Sequence, residues 1–122
     1  MKKNIMLIDD KVSIAKVVAV YLSKDYNFTY FENPVKAISY LEKGELPDLI
    51  ISDIRMPEMM GSDFLYYLKK NELFKSIPVI MLSSEDSTTE RIELLEAGAA
   101  DYILKPFNPM ELKVRIKKVL GD

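Results

Sequence analysis

The sequence predicts an α/β fold of the (βα)5 type, in which a parallel sheet of five strands carries helices on both faces. Three observations predict it. Short apolar runs recur along the chain, each ending in polar or turn residues: 5–8 run into Asp9 and Asp10, 49–52 into Asp53, 79–82 into Ser83 and Ser84, and 102–104 into Lys105 and Pro106. Runs of that kind are strands of a parallel sheet buried on both faces. Between them lie segments with helical spacing and helix-capping signals, which makes right-handed βαβ units. Finally, the 122 residues match one domain of common size, with no linker, repeat or low-complexity tract.

Each element has a local cause. Residues 12–24 form the first helix, with Ile14, Val17, Val18, Tyr21 and Leu22 on its core face and Val12, Ala15 and Ala19 opposite, beside Lys16. Residues 28–31 make the second strand. Asn33 caps the second helix, Pro34 takes its first position, and Gly44 ends it. The third strand leads to Asp53, and Met56 and Pro57 open a loop that closes at Gly61. Phe64, Leu65 and Leu68 form the stripe of the third helix. Ser87 and Glu90 have capping-box spacing for a fourth helix that Gly98 closes. Asn108, Pro109 and Glu111 start the fifth, whose Leu112, Ile116, Val119 and Leu120 face the core while Lys113, Arg115, Lys117 and Lys118 stay solvated.

Composition narrows the function. An apolar share of 48% and a charged share of 30% are ordinary for a globular protein. The net charge of −2 gives no electrostatic basis for direct nucleic-acid binding. No apolar stretch approaches a membrane span. The absence of cysteine fits a reducing cytoplasm. With no histidine, His-based triads, typical zinc sites and a phosphohistidine donor role are excluded. The only glycines are Gly44, Gly61, Gly98 and Gly121, so neither a P-loop nor a dinucleotide fingerprint can be written.

The strand ends carry the chemistry. Open α/β sheets bind ligands outside the carboxyl ends of their strands, and the commonest order for five strands, 2-1-3-4-5, makes strands one and three neighbours at the switch point. Asp9, Asp10 and Asp53 then share one pocket with Ser83 and Lys105 on the same edge. Two carboxylates about 4 Å apart repel by roughly 4 kcal/mol at an effective dielectric of ~20. Three of them call for a cation, and one lysine supplies a single charge. An oxygen-only, partly open donor set suits Mg2+.

These residues resemble the receiver (response-regulator) domain of bacterial two-component signalling, in its chemotaxis-type single-domain form, across residues 1–122. The features that carry the likeness are Asp9 and Asp10 after the first strand, Asp53 and the loop to Gly61, the Ser83 hydroxyl, and Lys105, Pro106 and Phe107. The resemblance implies a flavodoxin-like fold and a phosphorylation-dependent switch. It makes Asp53 the phosphoacceptor, and Asp9, Asp10, Asp53 and the backbone carbonyl of Arg55 the ligands of Mg2+, with Mn2+ as an alternative. Lys105 and Ser83 would bind the phosphoryl group, Tyr102 would relay the change from an exposed to an inward position, and the bond before Pro106 would be cis. Arg55 and Glu85, each two residues beyond a site residue, would pair on the rim.

The expected donor is a sensor histidine kinase or a histidine phosphotransfer protein, docking on the stripe of Val12, Ala15 and Ala19. The expected output is a protein partner, or a phosphorylation-linked homodimer, through the fourth helix, fifth strand and fifth helix. Arg91, Glu90, Leu94, Lys113 and Lys117 are the contacts expected there. Such a domain is not a turnover enzyme: it catalyses only its own phosphorylation and dephosphorylation. It can stand alone or belong to a longer chain. Three positions depart from the commoner pattern: Lys11 where a third acid is frequent, Met60 where aspartate is, and Ser83 where threonine is. An aspartyl-phosphate hydrolase would carry a second acid two residues after the nucleophile, where Arg55 stands. A degenerate receiver would lack part of the acceptor set, which is complete here.

Overall fold

A computed structural model describes residues 1–122. In chain order it contains β1 (Asn4–Ile8), α1 (Val12–Leu22), β2 (Asn27–Phe31), α2 (Pro34–Glu42), β3 (Leu49–Asp53), α3 (Gly61–Lys70), β4 (Val79–Ser83), α4 (Thr88–Glu96), β5 (Asp101–Leu104) and α5 (Pro109–Leu120). The strands are all parallel, in the order β2-β1-β3-β4-β5. The expected (βα)5 architecture is therefore present, with β1 and β3 adjacent. No helix is long and apolar enough to cross a membrane.

The strands are apolar on both faces because both faces are covered. Side chains alternate across a pleated strand. Ile5, Leu7, Leu49, Ile51, Ile80, Leu82 and Ile103 thus point to one core, shared with α1 and α5. Met6, Ile8, Ile50, Val79, Met81 and Tyr102 point to the other, under Ala37 and Leu41 of α2, Phe64, Leu65 and Leu68 of α3, and Leu94 of α4. Burying a side chain of this size fully contributes about 1.5–3 kcal/mol. Two such layers hold the central strands, and with them the residues at their ends.

Capping residues set the helix boundaries. Asn33 accepts a hydrogen bond from the Lys36 amide and Asn108 from the Met110 amide, with proline opening both helices. Ser87 accepts from the Glu90 amide, so half of the capping box forms. The reciprocal half does not: the Ser87 amide donates to the Glu85 carbonyl at 3.1 Å. The Glu90 carboxylate points elsewhere.

Three surface expectations are corrected. In α1 the buried residues are Ala15, Val18 and Leu22, whereas Val12, Val17, Val20 and Tyr21 are exposed. Almost every position of this helix is apolar, so the period alone allowed more than one face, and packing against α5 and the sheet selected Ala15. The stripe of Val12, Ala15 and Ala19 is thus not a surface stripe. On α4, Leu94 is 2% exposed and Glu90 is engaged inward, which removes both from the outer contacts, while Arg91 is exposed. On α5, Lys113 is paired with Asp25 and Arg115 with Asp101, leaving Lys117 and Lys118 as its solvated cations.

An Ala15→Glu variant places a carboxylate between α1 and the sheet. It is expected to lower the unfolding free energy by about 2–4 kcal/mol, measured by urea denaturation. An unchanged midpoint would mean that Ala15 faces solvent after all.

Candidate functional site

The site is built by β1 and β3 ending side by side. Asp9 follows β1 and Asp53 is the last residue of β3; they are 0% and 4% exposed. Asp10, one residue beyond, is exposed. One carboxylate oxygen from each of the three lies within 4.8 Å of the others. The Asp9 backbone is fixed to β2, its amide donating to the Phe31 carbonyl at 3.2 Å and its carbonyl accepting from the Tyr30 hydroxyl at 2.6 Å. Nothing in that arrangement lets the buried acid retreat from its neighbour.

Lys105 supplies the one cation inside the pocket. It follows β5, its peptide bond to Pro106 is cis, and its amide donates to the Ser83 carbonyl at 2.6 Å. Its Nζ lies 2.8 Å from Asp9 Oδ2 and 3.2 Å from Asp53 Oδ1. Asp9 Oδ1 accepts the Lys11 amide and Asp53 Oδ1 the Ile54 amide, both at 2.9 Å. Burial, then the Asp9 charge, pushes the Asp53 carboxyl above its ordinary range against the opposing pull of Lys105. Burial works against the charge on Lys105 as well, but the Asp9 hydrogen bond and the charges of Asp9 and Asp53 outweigh it and raise its pKa.

Lys105 inside the pocket and the exposed Lys11, 3.8 Å from Asp10, leave the three acids short of positive charge. The donors of the three aspartates are all oxygens. Hard oxygen donors with an open side fit Mg2+. Asp53 Oδ2 likewise takes no hydrogen bond from the protein, and it is not among the sealed polar atoms. A reacting group can therefore approach that oxygen.

The loop beyond Asp53 doubles back onto it. Glu58 adopts φ +72° in the turn, and the Gly61 amide donates to the Ile54 carbonyl at 2.7 Å. A Cβ on Gly61 would stand 2.0 Å from the Asp53 carbonyl oxygen. Backbone cannot yield to such a contact, so glycine is what allows α3 to start against the end of β3.

A second polar group lies beside the first. The Arg55 guanidinium donates from Nη2 to Glu85 Oε2 at 3.0 Å and to Glu90 Oε2 at 2.7 Å, while its Nη1 is buried without a partner. The Ser83 hydroxyl lies within donating distance of Glu90 Oε1 at 3.0 Å and the Glu85 carbonyl at 3.1 Å, and it accepts from the Glu85 amide. Tyr102 donates to Glu90 Oε1 at 2.7 Å. Burial opposes the Glu90 charge, but hydrogen bonds from Tyr102, Arg55 and Ser83 outweigh it and lower its pKa.

The structure thus unites Asp9, Asp10, Asp53 and Lys105 in one cluster, and Arg55, Ser83, Glu85 and Tyr102 in an adjoining one. Ser83 is hydrogen-bonded toward α4. One placement differs from expectation. Tyr102 is 8% exposed, already inward, because Glu90 offers its hydroxyl a charged partner. Glu90 itself was missed as a site residue. Its only sequence signal was the spacing from Ser87, which reads equally well as a capping box.

A family model for the response regulator receiver domain matches residues 5–117. The phosphate regulon transcriptional regulatory protein PhoB of Pseudomonas aeruginosa is 39% identical over 119 residues, which are 97% of this chain and 52% of that one. A protein of Formosa agariphila named histidine kinase P4 is 39% identical over 121 residues, 99% of this chain and 9% of its own length. The chain therefore spans about half of the one relative and a small part of the other. Among solved structures, the chemotaxis response regulator CheY4 of Vibrio cholerae superposes with a TM-score of 0.90 at 30% identity, covering 98% of this chain and 100% of that one.

Because the Asp53 pKa is raised on folding, the folded protein holds this proton more tightly than the unfolded chain. The stability linked to it is complete below the unfolded pKa and lost as pH rises through the folded one. At pH 7 Asp53 is thus a net cost, and Asp53→Asn is expected to raise the thermal midpoint by a few degrees, with the gain shrinking toward pH 4. A lower midpoint at pH 7 would contradict it.

Proposed function

Because the chain belongs to the response regulator receiver domain family, we propose that it is a switch in which Asp53 accepts a phosphoryl group from a phosphohistidine donor. Receiver domains take phosphoryl groups from histidine kinases, bind Mg2+ at an acidic pocket and act on output domains. The observation that carries the reading here is the buried Asp53, with one oxygen unpartnered, between two further aspartates and the Lys105 ammonium.

The chemistry follows from those positions. An Asp53 oxygen attacks phosphorus in line with the leaving group. The donor's P–N bond breaks, its electron pair leaves with the imidazole nitrogen, and a new O–P bond makes an acyl phosphate. An ionised carboxylate needs no base for this step, and catalysis is mainly positioning and charge stabilisation. Asp9, Asp10, Asp53 and the Arg55 carbonyl would hold Mg2+, or Mn2+, which when bound would supply positive charge to offset that of the reacting oxygens. Lys105 stays beside the transferred group as a point charge. Arg55 stands where a hydrolase would need an acid, and it is tied to two glutamates. That favours a regulatory phosphoacceptor over a turnover enzyme.

The phosphoryl group adds about −1.5 to −2 charges at Asp53. Ser83 and Lys105 move toward it, and the change reaches α4, β5 and α5, where a protein partner or a second copy of the domain binds. Ile92, Leu95 and Leu104 are exposed on this side. Moving a two-state switch from 1:99 to 99:1 takes about 5.5 kcal/mol, so the phosphoryl contacts produce a partial shift that partner binding completes.

Incubated with a small phosphodonor and Mg2+, the protein should gain one phosphoryl mass that is stable in acid and labile in base. Asp53→Asn should abolish the gain, and omitting Mg2+ should suppress it. Intact-mass spectrometry reads both, and label persisting in the Asn variant would sink the assignment.

The Arg55–Glu85 pair on the rim is expected to shield the acyl phosphate from water. Exposed pairs are worth only ~0–1 kcal/mol, so Arg55→Ala with Glu85→Ala should shorten the phosphoryl lifetime by about tenfold or less. Decay at the wild-type rate would remove this role.

A further inference from the structure

We propose that Glu90 is a positioning residue that holds the site in its unmodified arrangement and must release Ser83 when Asp53 is phosphorylated. The inference rests on the reading of Asp53 as phosphoacceptor and Ser83 as a ligand of the phosphoryl group. Nothing in the spacing of the sequence asks for it.

The geometry is a convergence of donors from three elements on one carboxylate of α4. Glu90 sits in the first turn of α4, with its side chain 19% exposed. Its Oε1 accepts from Ser83 at the end of β4 at 3.0 Å and from Tyr102 on β5 at 2.7 Å. Its Oε2 accepts from Arg55, in the loop after β3, at 2.7 Å. Hydrogen bonds to an ionised carboxylate are about twice as strong as neutral ones.

A serine hydroxyl carries one hydrogen. While that hydrogen serves Glu90, the charged and stronger acceptor beside the Glu85 carbonyl at 3.1 Å, it cannot serve a phosphoryl oxygen on Asp53. The competition is therefore set by stoichiometry rather than by shape.

Glu90 also governs how firmly α4 is held. This helix buries one residue, Leu94, whereas α3 buries Gly61, Phe64, Leu65 and Leu68. With so little apolar anchorage, the hydrogen bonds of Glu90 are a large part of what fixes the start of α4. Releasing them converts an event at Asp53 into movement of a helix on the output side.

When only a fraction of molecules has Ser83 free, the affinity for a phosphoryl mimic is reduced by that fraction. Glu90→Gln keeps the size of the side chain but removes its charge, so the free fraction rises. The test is titration of the full chain with beryllofluoride and Mg2+, followed by amide NMR, for wild type, Glu90→Gln and Glu90→Ala. The apparent affinity is expected to rise about three- to tenfold in Glu90→Gln and at least as much in Glu90→Ala. In the unmodified variants, the Ser83 and Tyr102 signals should lie displaced toward the positions they take in saturated wild type. A merely structural role would weaken binding and produce no such displacement. If wild type binds and both variants bind equally or less well, the inference fails while the phosphoacceptor reading stands. If wild type does not bind the mimic at all, both fail.

Discussion

Three carboxylates held at one edge of the sheet, two of them almost sealed from water, are the constraint from which the rest of this molecule follows. Asp9 cannot move away because its own backbone is hydrogen-bonded to β2, and Asp53 cannot because it is the last residue of β3. Burial first, and then the Asp9 charge, disfavours the ionised Asp53 carboxyl and raises its pKa. Lys105 relieves part of this penalty and leaves the pocket with an excess of negative charge. The sheet is thus built to sustain an arrangement that the isolated side chains would avoid, with the apolar layers on both faces supplying the stability that makes this tolerable.

That tension is transmitted by chain neighbours rather than by long-range contact. Arg55 lies two residues beyond Asp53, Glu85 two beyond Ser83, and Tyr102 three before Lys105. The chain at β3 and at β5 therefore delivers one residue to the acidic pocket and another to the polar group beside it, while β4 and the turn after it deliver two to the polar group. Glu90 gathers the second set from the α4 side. A change of charge at Asp53 meets, within a few bonds, a carboxylate that is already fully committed. Closely coupled hydrogen bonds of this kind rearrange together because breaking one alone leaves a buried polar group unsatisfied.

The helices divide the remaining work by how deeply they are anchored. The start of α3 presses on the Asp53 carbonyl through Gly61 and keeps the loop after Asp53 compact. Helices α1 and α5 share an apolar core with one face of the sheet and form a rigid support. By contrast α4, with Leu94 as its buried residue, is the helix least secured by burial. Segments with few buried apolar contacts are those that move at low cost. The side of the domain expected to meet partners is therefore the side that the polar group can displace.

Much of this was legible in the sequence. The order of strands and helices, the caps at Asn33 and Asn108, the glycine at position 61 and the identity of the acidic residues and lysine are local properties. Apolar runs, turn residues and capping side chains act within a few positions of each other, and parallel strands place their carboxyl ends on one edge by connectivity alone. What only the tertiary structure decided were choices between equivalent local solutions. An apolar α1 could bury several faces, and contact with α5 and the sheet chose Ala15, Val18 and Leu22. Glu90 could complete a capping box or turn inward, and the choice depended on Ser83, Tyr102 and Arg55 arriving from β4, β5 and the loop after β3. Tyr102 went inward for the same reason. Those partners are 7, 12 and 35 residues away in the chain, a range over which periodicity and propensity say nothing, so packing and the demand for satisfied buried charge settled it.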